Sequence, residues 1–204
     1  MGKSLFYIIR HGETEYNKLG IVQGSGVDMP LNELGRMQAQ SFYNFYKDVP
    51  FDKIYTSALV RTQQSVMPFI AAGHSFQADA ALNEISWGVF EGKPQSVSER
   101  EKYWRVVNAW NEGDYTAKIE NGESANELQA RQIPFIEKLK NESHACVLIA
   151  MHGRALKSFL CTLLNEPLLN MEKYGHSNLC LYQLSFDGKL FELLKQKDIV
   201  HLEA

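Results

Sequence analysis

Leu5-Phe6-Tyr7-Ile8-Ile9 is an unbroken apolar run that stops abruptly at Arg10-His11-Gly12. A run this short and continuous reads as a strand buried on both faces, because a half-solvated strand would alternate. Such a strand needs helices packed on both sides of its sheet. Gly12, directly after two polar residues, lets the backbone turn tightly and a ligand approach closely. In an open α/β sheet this strand end is where ligands bind. Ala145 to Met151 repeats the pattern and ends in His152-Gly153-Arg154. Phe51 to Thr56 is a third short strand, followed by Ser57 and, one turn on, Arg61.

The remaining elements fit between these strands. Gly20 to Pro30, with Gln23-Gly24-Ser25-Gly26, reads as a loop. Asn32 is a cap for a helix reaching Tyr46, with Leu34, Met37, Phe42 and Phe45 as its covered face. Gly35 inside that helix costs about 1 kcal/mol against Ala, which suggests tight packing against a neighbour. A helix follows Leu59 towards Ala72, bent or interrupted at Pro68 and closed by Gly73. Ser75 to Ala78 is weakly extended, and Glu99 to Asn111 looks helical. Ser124 and Glu127 form a capping box for a helix to about Asn141, with Pro134 as a kink point. Another helix runs from His152-Gly153 to about Leu164. Leu179 to Phe186 and Leu190 to Leu194 are strands joined by the turn signal Asp187-Gly188. Strands alternating with helices predict a mostly parallel sheet, and the terminal hairpin predicts an antiparallel edge. Residues 1–204 read as one domain, with a lid-like insertion around 87–122.

If the strand ends are neighbours, two imidazoles and at least two guanidiniums surround one small volume. That set suits a phosphoryl group. Arginine's planar fork matches phosphate oxygens, and histidine can act as a covalent nucleophile. A second, cationic imidazole would stabilise charge on the transferring group. Glu84, sheltered by Ile85 and Trp87, is a candidate general acid that would hold its proton more tightly than an exposed carboxyl. Each residue also has a plain structural alternative: a hydrogen-bonded histidine after a strand, a surface arginine, a solvated loop carboxylate. His11, Glu13 and His152 could be imagined around a metal, but no H-E-x-x-H or Cys/His ligand spacing is present. There is no phosphate-binding G-x-x-x-x-G-K-[ST] loop and no G-x-S-x-G elbow.

Composition narrows the class. The net charge of -3 argues against a nucleic-acid binder. Cys146, Cys161 and Cys180 form no C-x-x-C pair, which suggests free buried thiols in a reducing compartment. The first residues lack a signal-peptide pattern, Phe6 stands where lipidation at Gly2 wants Ser or Thr, and no run reaches membrane-spanning length. The expectation is a cytoplasmic protein with no membrane partner.

Arg10-His11-Gly12-Glu13-Thr14 with Asn17 resembles the defining motif of the histidine phosphatase superfamily, in its phosphoglycerate mutase-like branch. Asp28-Met29-Pro30-Leu31, Ser57-Ala58-Leu59-Val60-Arg61-Thr62, Leu82-Asn83-Glu84 with Trp87-Gly88 and Glu91-Gly92, Gly122-Glu123-Ser124 and His152-Gly153 follow in the family's order. The resemblance implies a three-layer α/β/α sandwich. It implies His11 as the nucleophile that becomes phosphohistidine. Arg10, Arg61 and His152 would form the phosphate pocket, assisted by Asn17, with Glu84 as proton donor and then base. Gln23 and Gly24 would line the entrance, and Gly153 and Arg154 would lie on the substrate side. No cofactor and no metal are implied.

Cofactor-dependent mutases of this family tend to carry a Tyr after the acid, a Lys further on, and adjacent arginines in the insertion. Here stand Trp87, Gln95 with Lys93 nearby, and the separated Arg100 and Arg105. Arg154 replaces the asparagine that mutases place after the second His-Gly. The expected activity is therefore hydrolysis of a small phosphomonoester, with inorganic phosphate as product. A phosphoglycerate mutase and a non-catalytic phosphate-binding protein are the alternatives. Arg154, Lys93 and Arg105 would favour a substrate with a second anionic group, and Trp87, Phe90, Trp104 and Trp110 a stacking wall. Sugar phosphates, phosphorylated carboxylates, and nucleotide-derived or ribazole-type phosphates fit this reading, phosphotyrosine less well. A homodimer is compatible with it.

Overall fold

The computed structural model describes residues 3–203, so Gly2 and Ala204 lie outside the described residues. Strand β1 (Ser4–Arg10) leads through a short helix α1 (Glu15–Lys18) to α2 (Glu33–Tyr46). Then come β2 (Lys53–Thr56), α3 (Val60–Ala71) and β3 (Phe76–Ala78). Helices α4 (Val97–Asn111) and α5 (Ala125–Asn141) precede β4 (Cys146–Met151) and α6 (Gly153–Leu163). The hairpin β5 (Leu181–Phe186) and β6 (Phe191–Asp198) completes one sheet of order β3-β2-β4-β1-β5-β6. Strands β1 to β4 pair in parallel, while β5 and β6 run antiparallel. The result is the expected three-layer α/β/α sandwich.

Strand β1 serves both layers. Phe6 and Ile8 enter the core beneath α5 and α6, with Phe135, Ile136, Leu156 and Phe159. Tyr7 and Ile9 enter the opposite core beneath α2 and α3, with Phe42, Val66 and Phe69. Side chains alternate along the strand, so burying both faces requires the continuous apolar run.

Helix α2 buries a different stripe from the expected one. Gly35, Ala39, Phe42 and Tyr46 face inward, whereas Leu34, Met37 and Phe45 are exposed. The helix is seated through its smallest residues. A Cβ on Gly35 would lie 2.1 Å from the carbonyl oxygen of Glu13, and one on Gly12 2.6 Å from the carbonyl oxygen of Gly35. Close approach of two backbones sets the stripe, at the cost of leaving larger side chains in water. Gly12 is thus required by this packing rather than by a tight turn. Helix α3 continues through Pro68 without interruption. Its buried Val66 and Phe69 hold it on the sheet despite the missing amide.

Helix α4 begins earlier than its aromatic pattern suggested, because Ser96 and Glu99 form a capping box. Gly188 has φ +95° in the β5–β6 turn, and Asp187 Oδ1 accepts from Lys189 N and Leu190 N. Among the described residues no helix is long and apolar enough to cross a membrane.

Candidate active site

Register alone brings the two histidines together. Arg10 pairs with Met151 across β1 and β4, so the next residues, His11 and His152, emerge side by side with ring centroids 5.1 Å apart. Thr56 of β2 pairs with Ala150, which sets Ser57 beside His152. Strand β5 is antiparallel to β1, so its start lies at the same sheet edge as the ends of β1 and β4. That edge receives His176 and Asn178.

His11 is buried, and its Nδ1 lies 2.7 Å from the carbonyl oxygen of Gly12. A carbonyl only accepts, so Nδ1 carries the hydrogen and Nε2 keeps its lone pair. Burial, with Arg61 and Arg10 nearby, holds the imidazole well below the ordinary histidine range and therefore neutral. The side chain is a neutral imidazole with a free lone pair, close to two cations.

His152 departs from the expected cationic imidazole. Arg61 Nε donates to its Nδ1 at 3.1 Å, a bond that an imidazolium could not accept. Its Nε2 lies 2.8 Å from Ser57 Oγ and is therefore the donor. Burial first, then Arg61, pushes its titration well below the ordinary range. Ser57 Oγ in turn meets Thr62 Oγ1 at 2.9 Å, and Thr62 donates to the Leu59 carbonyl. The whole relay is satisfied inside the protein.

Arg61 is fully buried, and burial lowers its pKa to about 10, with Glu84 opposing that shift. Besides His152, it donates to the carbonyls of Val27 at 2.7 Å and Gly24 at 3.1 Å. It therefore anchors the 20–30 loop. Gly24 faces Arg61 through its carbonyl, and a Cβ there would meet Glu91 Oε1 at 2.1 Å. Gln23 donates to Thr14 Oγ1 at 2.7 Å. Asn17 Oδ1 accepts from Thr14 N and from Asn178 Nδ2, which turns its Nδ2 away from them. Arg10 Nε is buried without a hydrogen-bond partner. Such a donor is costly unless something else accepts from it.

Glu84 is buried and lines the cavity with Trp87, but its carboxyl oxygens meet backbone amides rather than apolar groups. Its Oε1 accepts from Ala155 N at 2.7 Å and Ile85 N at 3.0 Å, and its Oε2 from Arg154 N at 3.0 Å. His152 gives α6 no side-chain cap, so Glu84 caps that helix from another part of the chain. Arg131 of α5 fastens the Glu84 loop from behind. It donates to the carbonyls of Ala81, Asn83 and Glu84 and pairs with Glu123 at 2.7 Å.

These groups surround a cavity of about 170 Å³. Arg10, His11, Asn17, Gln23, Glu84, Gly153, Arg154 and His176 supply its polar lining, and Ile21, Val22, Trp87 and Tyr103 its apolar lining. Gly24, Arg61 and His152 stand behind that surface. Lys93 and Arg105 do not line it. Lys93 pairs with Glu99, and Arg105 borders an outer groove beside Trp104. Trp87 packs against Tyr103 with ring centroids 4.6 Å apart and against the buried Trp110 at 5.7 Å, and Trp87 alone of the three tryptophans lines the cavity. Trp104 is exposed.

The three cysteines are free and buried, with burial pushing Cys146 up to about 11 and Cys161 up to about 12. Among the described residues no three His, Cys, Asp or Glu side chains cluster as a metal site would require. Sequence reasoning passed over Arg131, Glu172, His176 and Asn178. The last two precede the apolar run 179–186, and a polar cluster at the start of an antiparallel strand was the available signal.

The family model described as "Histidine phosphatase superfamily (branch 1)" matches residues 6–199. The chain is 28% identical to the "Putative phosphoserine phosphatase 2" of Hydrogenobacter thermophilus, over 96% of each chain. It is 35% identical to the "Probable phosphoglycerate mutase GpmB" of Yersinia pestis, over 79% of this chain and 75% of that one. The alpha-ribazole phosphatase from Shigella flexneri superimposes with a TM-score of 0.83 at 25% identity, over 96% of both chains.

Proposed function

Since the chain belongs to branch 1 of the histidine phosphatase superfamily, we propose that it hydrolyses a small phosphomonoester through a phosphohistidine on His11. The observation that carries this reading is the Nδ1 contact of His11 with Gly12 O, which leaves Nε2 as a buried, neutral nucleophile. The phosphoryl oxygens lie against Arg10, whose Nε lacks a protein partner, and against Asn17 Nδ2. Arg61 and His152 act from behind. Arg61 adds a fixed positive charge, and the Ser57–His152–Arg61 relay fixes its orientation.

In the first step Nε2 of His11 forms a bond to phosphorus as the bond to the leaving oxygen breaks. Glu84, in its protonated form, gives its proton to that oxygen. In the second step water attacks phosphorus, Glu84 takes a proton from it, and the bond to Nε2 breaks. Inorganic phosphate leaves and His11 returns to its starting state. Segment 87–122 serves as a cover whose Trp87 and Tyr103 limit the room beside the leaving group. The cavity is smaller than the ~300–1,000 Å³ of a typical ligand pocket. This favours compact esters over nucleotide-sized ones.

The test is phosphate release from a panel of phosphomonoesters in excess chelator, with 3-phosphoglycerate isomerisation followed in the same samples. Release with little isomerisation is the expected result. His11→Asn should lower release by on the order of 10³-fold or more and abolish acid-labile labelling of the protein. Dominant isomerisation, stimulated by bisphosphoglycerate, would establish the mutase reading that the Yersinia relative's name suggests.

A further inference from the structure

Behind one wall of the cavity, to which Arg154 contributes, two cations share one carboxylate. Arg154 Nη1 and Lys157 Nζ both bind Glu172, through its Oε1 and Oε2 respectively. The side chains of Arg154 and Lys157 are 9% and 8% exposed, while that of Glu172 is 40% exposed. Burying a charge is costly unless an opposite charge meets it, and here two buried cations share one partly exposed carboxylate. Glu84 adds a negative charge near Lys157, but its oxygens bind the N-terminal amides of α6 and not the Arg154 guanidinium. The Arg154 guanidinium lies 5.5 Å over the ring of Trp110, beside Tyr103, and so has a fixed place in the cavity wall. His176 borders the same space with a buried Nδ1 that has no protein partner, and burial holds its ring neutral, down to about 3.

We propose that Arg154, with His176 beside it, binds a carboxylate on the leaving group of the substrate. Glu172 stays on Lys157 and sets how strongly Arg154 attracts that carboxylate. This assignment rests on the phosphatase reading for the position of the phosphoryl group and goes further by naming the chemistry at its other end. The incoming carboxylate meets the part of the Arg154 guanidinium that lines the cavity, beside the unpartnered Nδ1 of His176. The cavity's small volume suits a carboxylate only a few bonds from the phosphoryl oxygen.

The experiment separates binding from turnover. Phosphoglycolate and its methyl ester, which differ in one charge, are titrated calorimetrically into three proteins that all carry His11→Asn to prevent turnover. One has no other change, one adds Arg154→Gln and one adds Glu172→Gln. The acid should bind more tightly than the ester to the first protein. Arg154→Gln should shrink that preference by about tenfold or more, and Glu172→Gln should enlarge it by removing the competing anion. An unchanged preference in both variants, or equal loss of acid and ester in Arg154→Gln, overturns the proposal. If Arg154→Gln does not fold, Glu172→Gln decides alone: a preference that fails to rise overturns it. Nitrophenyl phosphate hydrolysis by the unmodified protein tests the phosphatase reading separately. Its absence would remove that reading and leave the binding comparison intact.

Discussion

At the scale of single residues, the site works by deciding where each proton sits. The Gly12 carbonyl fixes one hydrogen on His11, and Arg61 denies one to Nδ1 of His152. Glu84 is held by three amides and, in the proposed reaction, exchanges its proton with substrate and water. Glu84→Gln keeps an oxygen for those amides but loses the exchangeable proton. It should slow alkyl phosphates by about 10²-fold or more, and nitrophenyl phosphate, with its good leaving group, far less. Steady-state rates on both esters check this, and equal slowing would remove Glu84 as the acid. The sequence announced His11, His152 and Arg10 because each ends an apolar run. The protonation of His152 was illegible there, since it depends on an arginine distant in the chain. Arg131 and Glu172 were equally hidden, because an isolated charge on a helix gives no hint of what it meets.

Helices and strands position the site through very close contacts. Helix α2 lies against the turn after β1 so tightly that Gly12 and Gly35 admit no side chain between them. Gly35→Ala should destabilise the protein by about 1–3 kcal/mol, as overpacking does. It should also lower kcat, because the displaced turn carries His11. Denaturant unfolding and rates on the same variant would show both effects, and full activity with full stability would refute the contact. Apolar runs showed β1 and β4, the turn signal Asp187-Gly188 the terminal hairpin, and the capping box of α5 that helix's start. The face of α2 was misread because hydrophobicity was taken as the guide, whereas backbone proximity selected Gly35, Ala39, Phe42 and Tyr46. Helix α6 presents a complementary case. Its first amides are capped by Glu84, so the acid and the helix depend on one another.

Over the whole molecule, four of the six histidines are pushed below their ordinary range, chiefly by burial: His11, His152, His176 and His201. In the unfolded chain they take up protons near pH 6.5. Below that pH the unfolded state binds more protons than the folded one, so stability falls with pH, by up to about 1.4 kcal/mol per unit for each such histidine. Thermal melting should therefore be flat above pH 7 and decline steadily from 6.5 towards 5. A melting temperature independent of pH over that interval would mean that these rings are protonated in the folded protein. The sandwich itself was legible in the order of strands and helices. Its sixth strand extends further than read, to Asp198, because hydrogen bonding to β5 carries a mostly exposed segment that hydrophobicity does not mark. The tryptophan in the cavity wall and the one packed behind it also give the molecule an optical property. Trp87 borders the cavity, Trp110 lies under Arg154, and the exposed Trp104 contributes only background. In a Trp104→Phe variant the intrinsic fluorescence should change as the cavity fills, so the protein would report its own occupancy without a label.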